Sequence, residues 1–226
     1  MLANFGIGTL CAMITTASGE PGRDCPLCPR LKAFRDDWRR REPDWFNAPV
    51  PSFGPAAARL LIVGLAPGLR GANRTGRPFT GDYAGDLLYA TLKKFNFAAG
   101  DYGRSPDDGF RLIDCRITNA VRCAPPENKP TPAEIAACRP FLVEEIASLP
   151  RLKAILALGS IAHASVVKTL GERLALRPFK HGSLHALEGG LLLADSYHCS
   201  RYNTNTGRLT TEMFEAAVAE LRRRLG

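Results

Sequence analysis

Arg59-Leu60-Leu61-Ile62-Val63-Gly64 is a short apolar run that ends at a glycine, and the long glycine-rich stretch 65–82 follows it directly. A continuous run of branched aliphatic residues is typical of a strand that is buried on both faces of a parallel sheet. Loops of this length without secondary structure of their own are usually functional or disordered. The stretch therefore predicts an α/β fold with a ligand-binding loop immediately after its first strand.

Strands and helices alternate along the rest of the chain. Strands are predicted at 59–64, 112–118, 153–158 and 191–196, and helices at 29–41, 84–97, 132–148, 160–170 and 209–225. Alternation of this kind indicates parallel βαβ units, hence a three-layer α/β/α sandwich with a central, mostly parallel sheet. Ligands bind such sheets beyond the carboxyl ends of the strands, so the loops after Gly64, Thr118, Leu158 and Tyr197 are the candidate binding loops.

Length and composition set limits on the class of protein. The chain has 226 residues with 45% hydrophobic and 23% charged residues, which excludes a largely disordered or fibrous protein. One domain over residues 21–226 is expected, preceded by an N-terminal segment, 1–20, that is mobile or docked. This segment lacks the basic start of a secretory signal, and no apolar run reaches the roughly 18–20 residues needed to span a bilayer. We therefore expect a cytoplasmic protein with no membrane partner.

Basic residues outnumber acidic ones, 30 to 22, which gives a formal net charge of +8. Such an excess favours a polyanionic partner, because Lys and Arg gain affinity for nucleic acid by releasing condensed counterions. Arginine accounts for most of the basic residues, and a GC-rich genome produces the same bias. Charge alone leaves both explanations open.

Seven cysteines in a protein expected in a reducing compartment indicate metal binding or catalysis more than disulfides. The odd number argues further against a fully paired set. The Cys25-Pro-Leu-Cys28 pair has the spacing of metal ligands, whereas Cys123 and Cys138 are far apart in sequence.

The candidate binding loops lack the common nucleotide motifs. The stretch 64–82 contains neither a Walker Gly-Lys-Ser/Thr nor Gly-x-Gly-x-x-Gly. Its glycines instead allow main-chain N–H groups to approach a ligand closely, and Phe79 lies among them. The loop after the last strand begins with His198, at the end of the sheet where a catalytic histidine would be placed.

Three segments together resemble a known family. They are Gly-Leu-Ala-Pro-Gly at 64–68, Arg-Thr-Gly-Arg-Pro-Phe-Thr-Gly-Asp at 74–82 and His-Cys-Ser-Arg-Tyr-Asn at 198–203, with a Thr-Asn segment at 118–119 in between. From about residue 25 to the C-terminus the chain resembles the uracil-DNA glycosylase superfamily, in particular its family 5 (type B) enzymes. The resemblance implies that fold, and a monofunctional, monomeric repair enzyme associated with the nucleoid. Such an enzyme hydrolyses the N-glycosidic bond of uracil in DNA, and of other deaminated bases such as hypoxanthine.

The resemblance also implies roles for individual residues. Catalysis is assigned to Asp82 and His198, and binding of the flipped base to Gly64, Leu65, Ala66, Phe79 and Asn119. Contacts to DNA are assigned to Arg74, Arg77, Lys129, Arg201, Tyr202, Asn203 and Arg208.

The chemistry of these side chains supports several of the assignments. Asn119 can accept from N3–H of uracil and donate to O4, and Phe79 offers a stacking surface. A neutral His198 can donate to the base oxygen that gains charge. Leucine at position 65 departs from related families, which carry a polar residue there to position water, so Asp82 is the carboxylate expected to take that role.

A [4Fe–4S] cluster is implied by the resemblance, with Cys25, Cys28, Cys123 and Cys138 as ligands. Four cysteines also suit structural zinc, so the metal stays open at this stage. Two other functions remain as alternatives. One is a non-catalytic nucleic-acid-binding iron–sulfur or zinc protein of the same fold, and the other is a zinc-stabilised α/β hydrolase, which the lack of a Gly-x-Ser-x-Gly elbow disfavours.

Overall fold

A five-stranded sheet forms the centre of the computed structural model, which describes residues 19–226. The strands of the described chain are β1 Leu60–Gly64, β2 Ala98–Ala99, β3 Arg111–Leu112, β4 Cys115–Asn119, β5 Ala154–Leu158, β6 Leu184–Ala186 and β7 Leu192–Ser196. The order in the main sheet is β4-β1-β5-β7-β6. Its first four strands are parallel, and β6 pairs antiparallel with β7 at the edge. A mostly parallel sheet, as predicted, is therefore present.

Helices cover both faces of the sheet. They are α1 Pro29–Arg41, α2 Ala72–Thr75, α3 Tyr83–Lys94, α4 Pro132–Ala147, α5 Ser160–Thr169, α6 Arg201–Asn205 and α7 Thr211–Leu225, with 3₁₀ turns at Pro126–Asn128, Leu174–Leu176 and Glu188–Gly190. On one face, α3 and α7 pack against alternate residues of β1 such as Leu60 and Ile62. On the other face, α4 and α5 pack against Leu61 and Val63. The prediction of a three-layer α/β/α sandwich is confirmed.

Every residue of β1 and β5 is buried, which explains why both strands read as unbroken apolar runs. Helix α4 begins at a capping box, in which the Thr131 hydroxyl accepts from the Glu134 amide and the Glu134 carboxylate accepts from the Thr131 amide. Helix α1 packs against α4 through Leu31 and Phe141, outside the main sandwich.

The predicted strand 112–118 is two strands. Leu112 belongs to β3, which pairs with β2 in a separate ribbon, and β4 starts at Cys115. The break falls at Asp114, which has a positive φ of 54° and accepts hydrogen bonds from the Arg59 backbone amide and side chain. The sequence analysis also missed β6, as well as the short helices α2 and α6 inside the two candidate binding loops.

The last residue of the predicted N-terminal segment is docked on the domain. Glu20 accepts from the Ser52 amide, and its carboxylate lies 2.8 Å from the Arg122 guanidinium. Residues 1–18, which make up the rest of that segment, lie outside the described residues. From residue 19 onwards, no helix is long and apolar enough to cross a bilayer.

Candidate active site

A cleft of about 620 Å³ opens at the carboxyl ends of β1, β4 and β7. The predicted site residues that line it are Leu65, Ala66, Phe79, Asp82, Asn119, His198 and Arg201. They come from segments widely separated in sequence, and the parallel sheet brings them to one edge. Beyond this set, the cleft is lined by Arg70, Tyr83 and Asn128, which the sequence analysis did not single out.

Asn119 ends β4 directly beside Gly64, its register partner at the end of β1. A Cβ atom at position 64 would lie 2.4 Å from Asn119 Oδ1 and 2.7 Å from Phe79 Cζ, so glycine is required for both side chains to occupy their places. Asn119 is 3% exposed, and its Oδ1 has no hydrogen-bond partner among the described residues. A buried acceptor without a partner is unfavourable in the free protein and suits a ligand that brings a donor.

Phe79 forms an apolar wall of the cleft. Its ring lies 5.8 Å from the His198 ring, between centroids, with 30° between the ring planes. The backbone of Phe79 is left-handed, with φ at 53°, which is unusual for a bulky residue. Its carbonyl accepts from the Tyr102 hydroxyl at 3.1 Å and packs so closely on Gly85 that a Cβ there would lie 1.9 Å away.

Asp82 lies at the N-cap of α3 and packs on two glycines of the loop. A Cβ at Gly71 would lie 2.4 Å from Asp82 Oδ2, and one at Gly68 would lie 3.0 Å from it. Burial raises the pKa of Asp82 and the like charge of Asp86 adds to this, while the amides at the start of α3 oppose it. Asp82 Oδ1 is buried and, like Asn119 Oδ1, has no hydrogen-bond partner in residues 19–226.

His198 is held neutral by its surroundings. Burial lowers the pKa of its imidazole to about 4, so the ring carries no charge near neutral pH. Its carbonyl accepts from the side-chain amide of Asn203 at 2.8 Å, which fixes the loop between β7 and α6. This hydrogen bond gives Asn203 a role within the fold, and its contact with DNA stays a prediction.

Several of the predicted DNA contacts are exposed, and one of them, Arg201, also lines the cleft. Tyr202 is 72% exposed, and the Arg201 guanidinium lies over the Tyr83 ring at 5.2 Å. Arg74 and Lys129 are also exposed. Arg208 is exposed as well, with its guanidinium 4.7 Å from the centre of the Tyr197 ring.

Arg77 differs from the other predicted DNA contacts because its side chain is buried. It is 5% exposed, and both of its terminal nitrogens donate to Asp108, at 2.8 and 2.7 Å. Its Nε donates to Thr80 Oγ1 at 2.7 Å. Each guanidinium nitrogen is already bonded inside the fold, which disfavours a phosphate contact, and the contact of Arg77 with DNA stays a prediction.

The four cysteines assigned to a metal face a second, smaller pocket beside α1 and α4. Cys25, Cys28, Cys123 and Cys138 line it together with apolar residues. Arg35 reaches into it and donates from Nη1 to Cys123 Sγ at 3.5 Å. The structure therefore brings the whole proposed ligand set together.

Two observations describe these four thiols as candidate metal ligands. Burial raises the pKa of Cys123 to about 11, an effect that the Arg35 cation opposes, and it raises the pKa of Cys138 to about 12. A tetrahedral zinc ion at about 2.3 Å from each sulfur would hold the sulfur atoms about 3.8 Å apart. Over residues 19–226, no three of these cysteines bring their sulfur atoms within 4.8 Å of one another. The sulfur atoms are therefore further apart than a tetrahedral zinc ion would hold them, and the [4Fe–4S] cluster stays a prediction.

Comparison with known protein families now decides the relationship. Residues 51–222 match the model of the uracil DNA glycosylase superfamily. The chain belongs to the uracil-DNA glycosylase superfamily. Membership confirms the resemblance found in the sequence, and the α/β/α sandwich is the fold expected of the superfamily.

Individual relatives agree. The chain is 47% identical to a type-5 uracil-DNA glycosylase of Thermus thermophilus over 208 residues, which covers 89% of this chain and 94% of the relative. It is 40% identical to a type-5 uracil-DNA glycosylase of Mycobacterium tuberculosis over 230 residues, covering 98% and 84%. A type-4 uracil-DNA glycosylase of Pyrobaculum aerophilum is 36% identical over 152 residues, covering 67% and 63%.

Two further cysteines of this superfamily member, Cys115 and Cys199, do not line the pocket. Cys115, predicted as a core residue, is fully buried in β4. Cys199, which follows His198 in the chain, is also fully buried. Both pack in the main core between the sheet and α3 and α7. Cys11 lies outside the described residues.

The sequence analysis also missed a His–Asp–His network that links α5, β6 and β7. His163 Nδ1 lies 2.7 Å from Asp195 Oδ1, and His185 Nε2 lies 3.2 Å from Asp195 Oδ2. His163 Nε2 is 2.7 Å from the Arg177 carbonyl. These residue types also bind metals, but here they satisfy one another, so the network acts as a buried tie between α5, β6 and β7.

Proposed function

We propose that this protein excises uracil from DNA by hydrolysing the N-glycosidic bond, which leaves an abasic site. The observation that carries the proposal is the buried, unpartnered Oδ1 of Asn119 in a cleft that also contains Phe79, Asp82 and His198. The names of the relatives support the same substrate. Because the target base is hidden in the duplex, the nucleotide must be flipped into the cleft before reaction.

Asn119 reads the flipped base. Its Oδ1 accepts from N3–H of uracil, and its Nδ2 donates to O4. Cytosine presents the reverse pattern and would leave buried polar groups unpaired, which disfavours it. Hypoxanthine presents the same acceptor and N–H arrangement as uracil, so we propose that it is a second substrate.

Asp82 and His198 divide the chemistry between sugar and base. The transition state has positive character on the sugar and negative character on the departing base, by analogy with O-glycoside hydrolysis. The Asp82 carboxylate accepts a proton from the attacking water or stabilises the sugar cation. The neutral imidazole of His198 donates to the base oxygen on which charge develops.

The apolar side of the cleft and its rim position the DNA. Leu65 and Ala66 line the cleft beside the base, where Leu65 has no group with which to hold water. The exposed Tyr202 is placed to enter the gap left by the flipped nucleotide, as side chains do in kinked DNA. We propose, from the family resemblance, a monomer that acts on DNA at the nucleoid.

A [4Fe–4S] cluster held by Cys25, Cys28, Cys123 and Cys138 completes the proposal. When bound, the group would supply a cross-link of α1 and its preceding segment to α4. The four thiols lie outside the cleft, and this supports a structural role.

Cleavage of matched duplexes with uracil, hypoxanthine, xanthine or thymine tests the activity. Single-turnover cleavage of the uracil duplex is expected, and Asp82→Asn should lower its rate strongly. An Asp82→Asn protein with a near-normal rate would refute the assignment to Asp82. Wild-type protein that cleaves none of the four bases but still binds DNA would favour the non-catalytic alternative.

Purified protein tests the cluster directly. A brown colour with broad absorption in the visible blue is expected, together with about four irons per chain. Cys123→Ser should lose the absorption, and Cys115→Ser is the matched control because that thiol lies in the main core. Colourless protein with one zinc per chain would overturn the iron–sulfur proposal.

A further inference from the structure

Arg77 occupies an enclosure of three aromatic rings and one carboxylate. Its guanidinium carbon lies 5.2 Å from the centre of the Phe53 ring, and 5.8 Å from the centres of both the Tyr89 and Tyr102 rings. Asp108 completes the enclosure, and the ion pair with Arg77 holds the pKa of this carboxyl well below its usual range. The aromatic rings and the carboxylate together compensate for burying the positive charge of Arg77.

The groups around Arg77 also hold the turn that carries Phe79. The Tyr89 hydroxyl donates to the Pro78 carbonyl, and the Tyr102 hydroxyl donates to the Phe79 carbonyl. Thr80 Oγ1 accepts from Arg77 Nε and lies 3.2 Å from the Pro78 carbonyl, to which it donates. Residues that surround Arg77 therefore hold the backbone carbonyls of Pro78 and Phe79.

This support matters because Phe79 has a left-handed backbone. A bulky residue keeps such a conformation only where its surroundings determine it from several directions. We propose that Arg77 is a positioning residue, which holds the turn 78–80 in the conformation that presents the Phe79 ring to the base. The inference rests on the proposed function for what Phe79 stacks against.

Arginine is specifically suited to this position. Its planar fork donates to Asp108 through two nitrogens and to Thr80 through the third at the same time. Lysine keeps the charge but cannot make these three bonds in one plane, so Arg77→Lys separates the fork from the charge.

The first experiment compares Arg77→Lys with wild type in DNA binding and in single-turnover cleavage of a uracil duplex. A positioning residue predicts a fall of about 10- to 100-fold in the single-turnover rate, with unchanged affinity for undamaged DNA and an unchanged salt slope. A phosphate contact predicts the reverse: weaker binding to all DNA and a salt slope smaller by about one. The second result would overturn the inference.

A second pair of variants covers the case in which Arg77→Lys fails to fold. Thr80→Val removes the oxygen that accepts from Arg77 Nε, whereas Thr80→Ser retains it. The rate should fall in Thr80→Val and return towards wild type in Thr80→Ser. Arg59→Lys is the control for stability, because Arg59 pairs with Asp114 at the opposite end of β1 and should leave the rate unchanged.

Amide hydrogen exchange separates this inference from the proposed function. The amides of residues 79–81 should exchange faster in Thr80→Val than in Thr80→Ser, whatever base the protein excises. Equal exchange in the two variants would overturn the positioning role. Wild-type protein that cleaves no uracil duplex would overturn the proposed function and leave the exchange result to decide the role of Arg77.

Discussion

Asn119→Leu is expected to stabilise the protein while abolishing most of its activity. Asn119 is 3% exposed, and its Oδ1 is buried without a hydrogen-bond partner among residues 19–226. An unsatisfied buried polar group costs about 1–3 kcal/mol, and an apolar side chain of similar shape removes that penalty. We therefore expect the free energy of unfolding to rise by about 1 kcal/mol.

The loss of activity follows from the same group. With leucine at position 119, N3–H and O4 of the flipped uracil enter the cleft without partners. At about 2 kcal/mol for each group, the middle of the usual range, the two together cost about 4 kcal/mol. Since each 1.4 kcal/mol is a factor of ten, the rate should fall about 100- to 1,000-fold.

Urea unfolding followed by circular dichroism gives the stability, and single-turnover cleavage of a labelled uracil duplex gives the rate. Thr118→Val is the matched control, because Thr118 Oγ1 is equally buried but lies 3.0 Å from its partner, Ser52 Oγ. The control should lose about 1 kcal/mol of stability and keep its activity. If Asn119→Leu were less stable than wild type, or cleaved within tenfold of it, the reasoning about the unpartnered oxygen would be refuted.

Three further predictions concern the same cleft. Burial lowers the pKa of His198 to about 4, so its ring stays neutral between pH 8 and pH 5. His198→Gln, which keeps a neutral donor, should therefore retain more single-turnover activity than His198→Leu. Gly64→Ala places a Cβ 2.4 Å from Asn119 Oδ1, and overpacking of this kind should lower the free energy of unfolding by about 1–3 kcal/mol and slow cleavage, measured side by side with wild type. Burial raises the pKa of Asp82, so ionisation of this carboxyl at higher pH destabilises the folded protein. Asp82→Asn should therefore have a higher free energy of unfolding than wild type at pH 7, and the difference should disappear in acid. An advantage for Asp82→Asn that grew in acid instead would contradict the burial of a charged carboxylate.

The sequence was sufficient to predict the parts of the fold in which burial is complete. β1 and β5 are buried at every position, and their unbroken apolar runs therefore predict buried parallel strands. The edge strand β6 has three residues, all partly or fully exposed, and gives no comparable signal. The division of the predicted strand 112–118 depends on Asp114, whose left-handed backbone is fixed by Arg59, 55 residues away.

The candidate site was predictable where its residues end a core strand. Asn119 is the last residue of β4 and His198 follows β7, so topology alone places both at one edge of the sheet. The burial of Arg77 could not be predicted, because an arginine in a basic, glycine-rich loop is usually solvated and its partner Asp108 lies 31 residues further on. Tyr83 and Asn128 reach the cleft only through the packing of α3 and of the turn after Cys123, for which no local pattern exists.

The pairing of Gly64 with Asn119 has a consequence for the accuracy of repair. The two residues are the last pair in the ladder between β1 and β4, so the oxygen proposed to distinguish uracil from cytosine is attached to the buried central sheet. A slip of one residue between these strands would turn Asn119 to the opposite face of the sheet. A residue with a side chain would then stand opposite Asn119, in the place of Gly64. Base discrimination therefore depends on the alignment of the core strands. A chain whose sheet is misaligned would be unable to read any base, instead of reading the wrong one.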